Sequence, residues 1–191
     1  MILNKILDQA HALMKKAVHE GSAVIDGTCG NGHDTLFLSN LVGDDGHVYA
    51  FDIQEQAVEN TKARLKEHHR LERTTVIHDS HTHIEEHLQE DHKGMIQAAI
   101  YNLGYLPGSD KRVITKPDDT ITSIQTVLKS LKKGGLVVLV VYHGHPGGKE
   151  EKDAVLDYVS SLDHRDYEVL NYSFINKDRT PPFIIAIEKN V

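Results

Sequence analysis

Apolar residues recur at helical spacing from the start of the chain, at Ile2, Leu3, Ile6, Leu7, Ala10, Leu13, Met14, Ala17 and Val18. That period predicts an amphipathic helix within residues 1–20, packed on the rest of the domain and ended by Gly21. Beyond it the pattern changes to short apolar runs. Ala23–Ile25, His47–Phe51, Thr74–His78, Gln97–Tyr101 and Leu136–Tyr142 read as strands, separated by helices near Asp34–Leu41, Gln56–His69, Thr120–Leu131 and Glu150–Leu162. Leu136–Tyr142 is apolar throughout, as a strand at the centre of a parallel sheet should be. Gly134 and Gly135 launch it, and Gly108–Asp119 reads as a charged loop of the kind that covers sites. Tyr167–Ile175 and Phe183–Glu188, joined through Asn176–Pro182, read as a closing hairpin. Strands alternating with helices predict an α/β fold built on an open, mostly parallel sheet.

With 191 residues, 39% of them hydrophobic, the chain is expected to form one domain over 1–191. No apolar run approaches the roughly 20 residues of a membrane span, and no leader pattern opens the chain, so a cytoplasmic protein without membrane contact is expected. Cys29 stands alone and excludes an internal disulfide. A net charge of -7 argues against broad, sequence-independent binding to nucleic acid. Local cations remain in three places: Lys111, Arg112 and Lys116; Lys149 and Lys152; Lys177 and Arg179.

The densest chemistry lies in Val24-Ile25-Asp26-Gly27-Thr28-Cys29-Gly30-Asn31-Gly32-His33-Asp34-Thr35. A strand runs into a glycine-bearing turn and a helix opens. A second strand then ends at Asp52, about 20 residues past the last glycine, which is the arrangement of a nucleoside-cofactor site. A dinucleotide fingerprint would need a third glycine where Thr35 stands, and Asp26 would repel a pyrophosphate. An acid there suits the ammonium and sulfonium charges of S-adenosylmethionine, while Asp52 can take both ribose hydroxyls. The cofactor-binding candidates are therefore Asp26, Thr28, Cys29, Gly30, Asn31, Gly32, Asp34 and Thr35 from the turn and helix, with Asp52 and Gln54 after the second strand. Asp79 and Ser80, after the third, are placed for the adenine.

Ligands in such sheets lie beyond the carboxyl ends of the strands, which brings in Asn102-Leu103-Gly104-Tyr105 and Tyr142-His143-Gly144-His145. An Asn carbonyl can accept a hydrogen bond from a substrate nitrogen and aim its lone pair at a methyl group, while an aromatic ring holds the substrate. Asn102 also adjoins the cofactor. Tyr105 and Tyr142 are the stacking candidates, and Tyr105, His143 and His145 are candidates for proton handling. The chain has 14 histidines, but among His78, His81, His83 and His87 only the last two show helical i,i+4 spacing, and no third ligand is fixed. No metal is expected.

The acid-and-glycine turn resembles that of the class I S-adenosylmethionine-dependent methyltransferases, which usually read acid-x-Gly-x-Gly-x-Gly; here Thr28 replaces the first glycine. The resemblance narrows over Ile25–Thr35, Asn102–Lys111, Tyr142–Glu150 and Pro181-Pro182-Phe183. Together these are similar to a small bacterial family, long labelled rRNA methylases, that includes the tRNA 5-aminomethyl-2-thiouridine methyltransferase of Gram-positive bacteria. The resemblance implies a Rossmann-like fold, with a mostly parallel seven-stranded sheet and an antiparallel C-terminal hairpin strand. It also implies S-adenosylmethionine as cofactor and methylation of the aminomethyl nitrogen of the wobble uridine. Its partner would be the tRNA anticodon loop, met by Lys111, Arg112, Lys116, Lys149 and Arg179. An rRNA or small-molecule amine methyltransferase, and a noncatalytic RNA-binding module on the same fold, are the rival readings, with a nicotinamide dehydrogenase a distant third. Oligomeric state, including a homodimer, stays open.

Overall fold

The computed structural model describes residues 2–104 and 115–191. In chain order the main elements are α1 (Ile6–Ala17), β1 (Ala23–Asp26), α2 (His33–Val42), β2 (His47–Asp52), α3 (Glu55–Glu67), β3 (Thr74–His78), α4 (Ile84–His87), β4 (Ile96–Leu103), α5 (Pro117–Ser130), β5 (Leu131–Val141), α6 (Gly148–Ser160), β6 (Tyr167–Tyr172) and β7 (Phe183–Lys189). Seven strands form one sheet in the order β3-β2-β1-β4-β5-β7-β6. The first five are parallel, and β7 runs antiparallel to both β5 and β6.

Side chains alternate along each strand, so the sheet has two faces. On one, Ala98 and Ile100 of β4 join Val24, Val48, Val138 and Val140 beneath α1 and α2, whose Ile6, Ala10, Met14, Leu38 and Val42 close the core. On the other, Ala99, Tyr101 and Leu103 meet Ile124, Val127 and Leu128 of α5 and Val155 and Val159 of α6. By this parity Asn102 points to the α1 and α2 face. β1, flanked by β2 and the central β4, buries all four residues.

Three expectations are corrected. Helix α1 starts only at Ile6, and Ile2, Leu3 and Leu7 stay exposed, because the seam Ile6, Ala10 and Met14 already fills the contact with the sheet. The loop expected to run to Asp119 gives way to helix at Pro117. Proline at the first helical position costs no hydrogen bond, and Asp118 and Asp119 face the positive end of the helix dipole. Finally, β5 begins at Leu131, ahead of the two glycines. Its pairing moves from Ile96↔Leu131 to Ala98↔Leu136, two steps along β4 against five along β5. The extra residues bulge outward, with Gly134 at a positive φ of 73°.

Candidate active site

Asp26 ends the most enclosed strand and is fully buried. Its Oδ1 accepts the Thr28 backbone N–H at 3.2 Å and its Oδ2 the Thr35 hydroxyl at 2.6 Å, so the carboxyl ties the start of the turn to the first turn of α2. Burial, reinforced by the neighbouring charge of Asp34, pushes its pKa up to about 7. The acid expected to face a cationic ligand is thus placed inside the turn.

Two glycines in the turn are dictated by contact. A Cβ on Gly27 would lie 2.1 Å from the Tyr101 ring, and one on Gly32, at φ 79°, would lie 2.9 Å from the Thr61 backbone. Thr28, in place of the first glycine of the pattern that the turn resembles, accepts the Asn102 backbone N–H on its hydroxyl at 2.7 Å. It fastens the β1 turn to the end of β4. Cys29 is buried, its N–H donating to the Phe51 carbonyl at 2.8 Å, and burial drives its thiol pKa far upward, which leaves it unreactive. Asn31 is engaged on both sides: its side-chain oxygen accepts from Asn60 at 3.0 Å and its carbonyl from the Arg64 guanidinium at 2.7 Å.

Asp52, half-buried at the end of β2, receives the Gly30 N–H on one oxygen and the Gln54 N–H on the other, both at 3.0 Å. Each carboxylate oxygen keeps a second lone-pair site for a ribose hydroxyl. Burial raises its pKa against backbone hydrogen bonds from Gln54, Gly30 and Ile53. The residues therefore fit an adenosyl group: a glycine turn drawn up to Asp52, and a carboxylate already oriented by backbone donors. Gln54 contributes through its backbone.

Asp79 and Ser80 do reach the neighbouring strand end, but both are engaged. Asp79 is shared by His87 Nε2 and His83 Nδ1, each at 2.9 Å, and these hydrogen bonds hold its carboxyl far below the usual range. Ser80 caps the short turn that follows, its hydroxyl accepting the Thr82 N–H. Among the described residues no group of His, Cys, Asp and Glu is placed to hold a metal ion.

At the end of β4, Asn102 donates its side-chain Nδ2 to Asp34 Oδ2 at 2.6 Å, and Asp34 Oδ1 meets His11 Nε2 at 2.7 Å. Burial opposes the charge on Asp34, yet the His11 and Asn102 hydrogen bonds outweigh it and keep its carboxyl below the ordinary carboxylate range. Tyr142 follows β5, half-buried against the same face. Burial and the charge of Asp34 raise its hydroxyl pKa. His143 lies against the terminal hairpin, with its Nε2 on the Pro181 carbonyl at 3.0 Å and its ring edge-on to Phe183. His145 fits beside Gly104 and Gly148, where a Cβ would come within 3.5 and 2.9 Å of its ring.

Tyr105, Lys111 and Arg112 lie outside the described residues. Of the other candidate cations, Lys116 and Arg179 are exposed, and Lys149 pairs with Asp153 at 3.1 Å. Two residues escaped the sequence reading. His11 reaches the site from α1, and Glu151 is buried in α6, accepting the Thr115 and Thr120 hydroxyls at 2.6 Å each. Glu151 clamps α6 to Thr115 and to the first turn of α5. Acid-hydroxyl spacing across elements leaves no linear signature for such a clamp.

This sheet order, with its antiparallel β7 and a strand-end carboxylate drawn up to a glycine turn, is the fold of the class I S-adenosylmethionine-dependent methyltransferases. The chain belongs to the family described as "Putative rRNA methylase", which matches residues 48–188. A protein of that description from Clostridium thermocellum has a solved structure with a TM-score of 0.94 and 37% identity, covering 98% of each chain. A "putative methyltransferase" from Streptococcus mutans, solved in complex with SAH, gives a TM-score of 0.88 and 39% identity over 98% of this chain and 99% of that one. A chloroplastic tRNA (mnm(5)s(2)U34)-methyltransferase of Arabidopsis thaliana is 34% identical over 193 residues, which cover 97% of this chain and 70% of the relative. S-adenosylmethionine is the cofactor. No helix among the described residues is long and apolar enough to cross a membrane.

Proposed function

We propose that the protein methylates RNA, and within RNA the aminomethyl nitrogen of 5-aminomethyl-2-thiouridine at the tRNA wobble position, giving 5-methylaminomethyl-2-thiouridine. The observation that carries this reading is the Asn102 side chain. Its NH2 is committed to Asp34, which leaves Oδ1, without a partner among the described residues, to accept a hydrogen bond from an attacking N–H. The name of the Arabidopsis relative supplies the substrate class.

Bound S-adenosylmethionine supplies an electrophilic methyl group on sulfonium. The neutral amine lone pair forms the N–C bond while the C–S bond breaks, its electron pair remains on sulfur, and the extra proton on nitrogen leaves to solvent. Asn102 aligns the lone pair, and the turn with Asp52 fixes the opposite partner, so catalysis comes mainly from positioning. Tyr142 stays protonated and serves as a stacking surface for a base splayed from the single-stranded anticodon loop. The His143 Nε2 must carry the hydrogen to a carbonyl that only accepts, so that nitrogen holds the loop instead of taking a proton. Lys116, Lys149 and Arg179, with Lys111 and Arg112, are the phosphate contacts of this reading.

The test is incubation of the protein with S-adenosylmethionine and tRNA from a strain lacking the gene, followed by digestion to nucleosides and mass spectrometry. Conversion of 5-aminomethyl-2-thiouridine to its N-methyl form is expected. A methyl group appearing only in rRNA, or in no RNA, would replace the reading.

A further inference from the structure

We propose that His11, on the N-terminal helix, is a positioning residue for methyl transfer: acting through Asp34, it fixes which end of the Asn102 amide faces the substrate. The inference rests on the reading of Asn102 as the group that orients the attacking amine.

A side-chain amide is nearly symmetric in shape, so packing alone does not choose between its oxygen and its nitrogen. The wrong orientation would present two donors to the amine and repel the N–H that must be aligned. At this site the choice is made electrostatically. An ionised carboxylate only accepts hydrogen bonds, so Asp34 compels Asn102 to turn its NH2 inward, at 2.6 Å. The orientation then depends on Asp34 remaining ionised although its side chain is only 14% exposed. The second oxygen of Asp34 receives the His11 Nε2 hydrogen at 2.7 Å, and this is the largest of the interactions that favour the charge against burial. His11 is itself held: its ring stacks on Phe37 of α2 at 3.9 Å between centroids and 8° between planes. The three residues belong to α1, α2 and β4, and the alternation of β4 aims Asn102 at the face those two helices cover. The chain from His11 through Asp34 to Asn102 is thus a consequence of the fold's layering. Chains of this kind favour one arrangement because each member's partner restricts the donor and acceptor roles of the next.

The deciding measurement is the 15N–1H signal pair of the Asn102 side-chain amide in the full-length protein with SAH bound, assigned by its disappearance in Asn102→Asp. It is compared between wild type, His11→Ala and His11→Gln; glutamine keeps an N–H donor for Asp34. In His11→Ala the pair is expected to shift and to exchange faster with solvent. On tRNA carrying 5-aminomethyl-2-thiouridine, kcat should fall about tenfold, with KM and SAH affinity each within about twofold of wild type. His11→Gln should restore the amide signals and bring kcat back to within about threefold. The proposal is overturned by an unmoved amide pair in His11→Ala, by a shifted pair with wild-type kcat, or by kcat and SAH affinity falling together, which marks a structural role. If the wild-type enzyme leaves that tRNA unmethylated, the substrate reading fails separately. The amide signals still decide whether His11 orients Asn102.

Discussion

Four aspartates gather at the carboxyl edge of the sheet, and they divide into two regions. In the β1–α2 region, Asp26 and Asp34 are enclosed, and the protein's own groups take both oxygens of each. Along the β2–β3 rim, Asp52 and Asp79 are more open, and there a backbone turn holds one while two histidines hold the other. Residue type is the same in all four, and three of them stand at a strand end while Asp34 lies in the first turn of α2. Burial and the identity of the partners decide whether such an acid ties a turn together, bonds other side chains across elements, or lies at the rim in backbone or histidine contacts.

The contrast breaks most visibly at Asp52. Asp52→Ala removes a carboxylate assigned to two charge-assisted hydrogen bonds, worth about 1.5–3 kcal/mol each, and frees the Gly30 N–H it holds. SAH affinity measured by calorimetry should drop by at least about 100-fold in a folded variant. An unchanged dissociation constant would move the ribose elsewhere. Asp34→Ala should act on the other quantity, lowering kcat by roughly 30-fold while SAH affinity stays within about threefold. Equal losses in both would erase the distinction between the two regions.

Asp26 separates structure from chemistry by pH. Its folded pKa of about 7 lies above the ordinary value of 3.8, so its contribution to stability is present below about pH 4 and lost as pH rises through 7. Asp26→Asn mimics the protonated form. The variant should therefore melt near wild type at pH 4 and above it at pH 8.5, the gap opening by about 2–4 °C for each kcal/mol of relief. A gap that does not change with pH would mean that Asp26 is ionised throughout. The smallest effect is expected at the rim: the double change His83→Ala and His87→Ala removes exposed ion pairs, so melting should shift by less than about 2 °C and turnover by less than about threefold. A larger loss of SAH affinity would promote Asp79 into the cofactor site.

The fold was legible where the signal is local. Apolar runs such as Leu136–Val141 and glycines forced by contact, such as Gly27 and Gly32, mark the strands and the turn, and Asn102 is found from its place at a strand end. Other features are written in no window of sequence. His11 belongs to the site only because α1 lies on the β4 face, and the bulge in β5 hides a strand that starts before its glycines. His83 and His87 do show helical spacing, and the partner they share is Asp79, four and eight residues back. The enclosed position of Asp26 was equally unreadable, because a buried acid and a ligand-facing acid occupy the same place in the motif.

The seating of α1 also bears on how much of the chain must be present before the site is whole. This helix packs against β4, β5 and β7, and the Tyr172 hydroxyl at the end of β6 reaches the Asn4 carbonyl at 2.8 Å. A nascent chain that has emerged through the glycine turn and β4 holds Asp34 and Asn102 but still lacks β5 and β7, on which α1 must rest. His11 precedes β1 along the chain, yet the face on which its helix lies is completed by β5 and β7. The Gly30 and Asp52 contact is built from β1, α2 and β2 alone, whereas the link from His11 to Asp34 and Asn102 draws on a helix that rests on β5 and β7, so the two halves of the site complete at different lengths of chain.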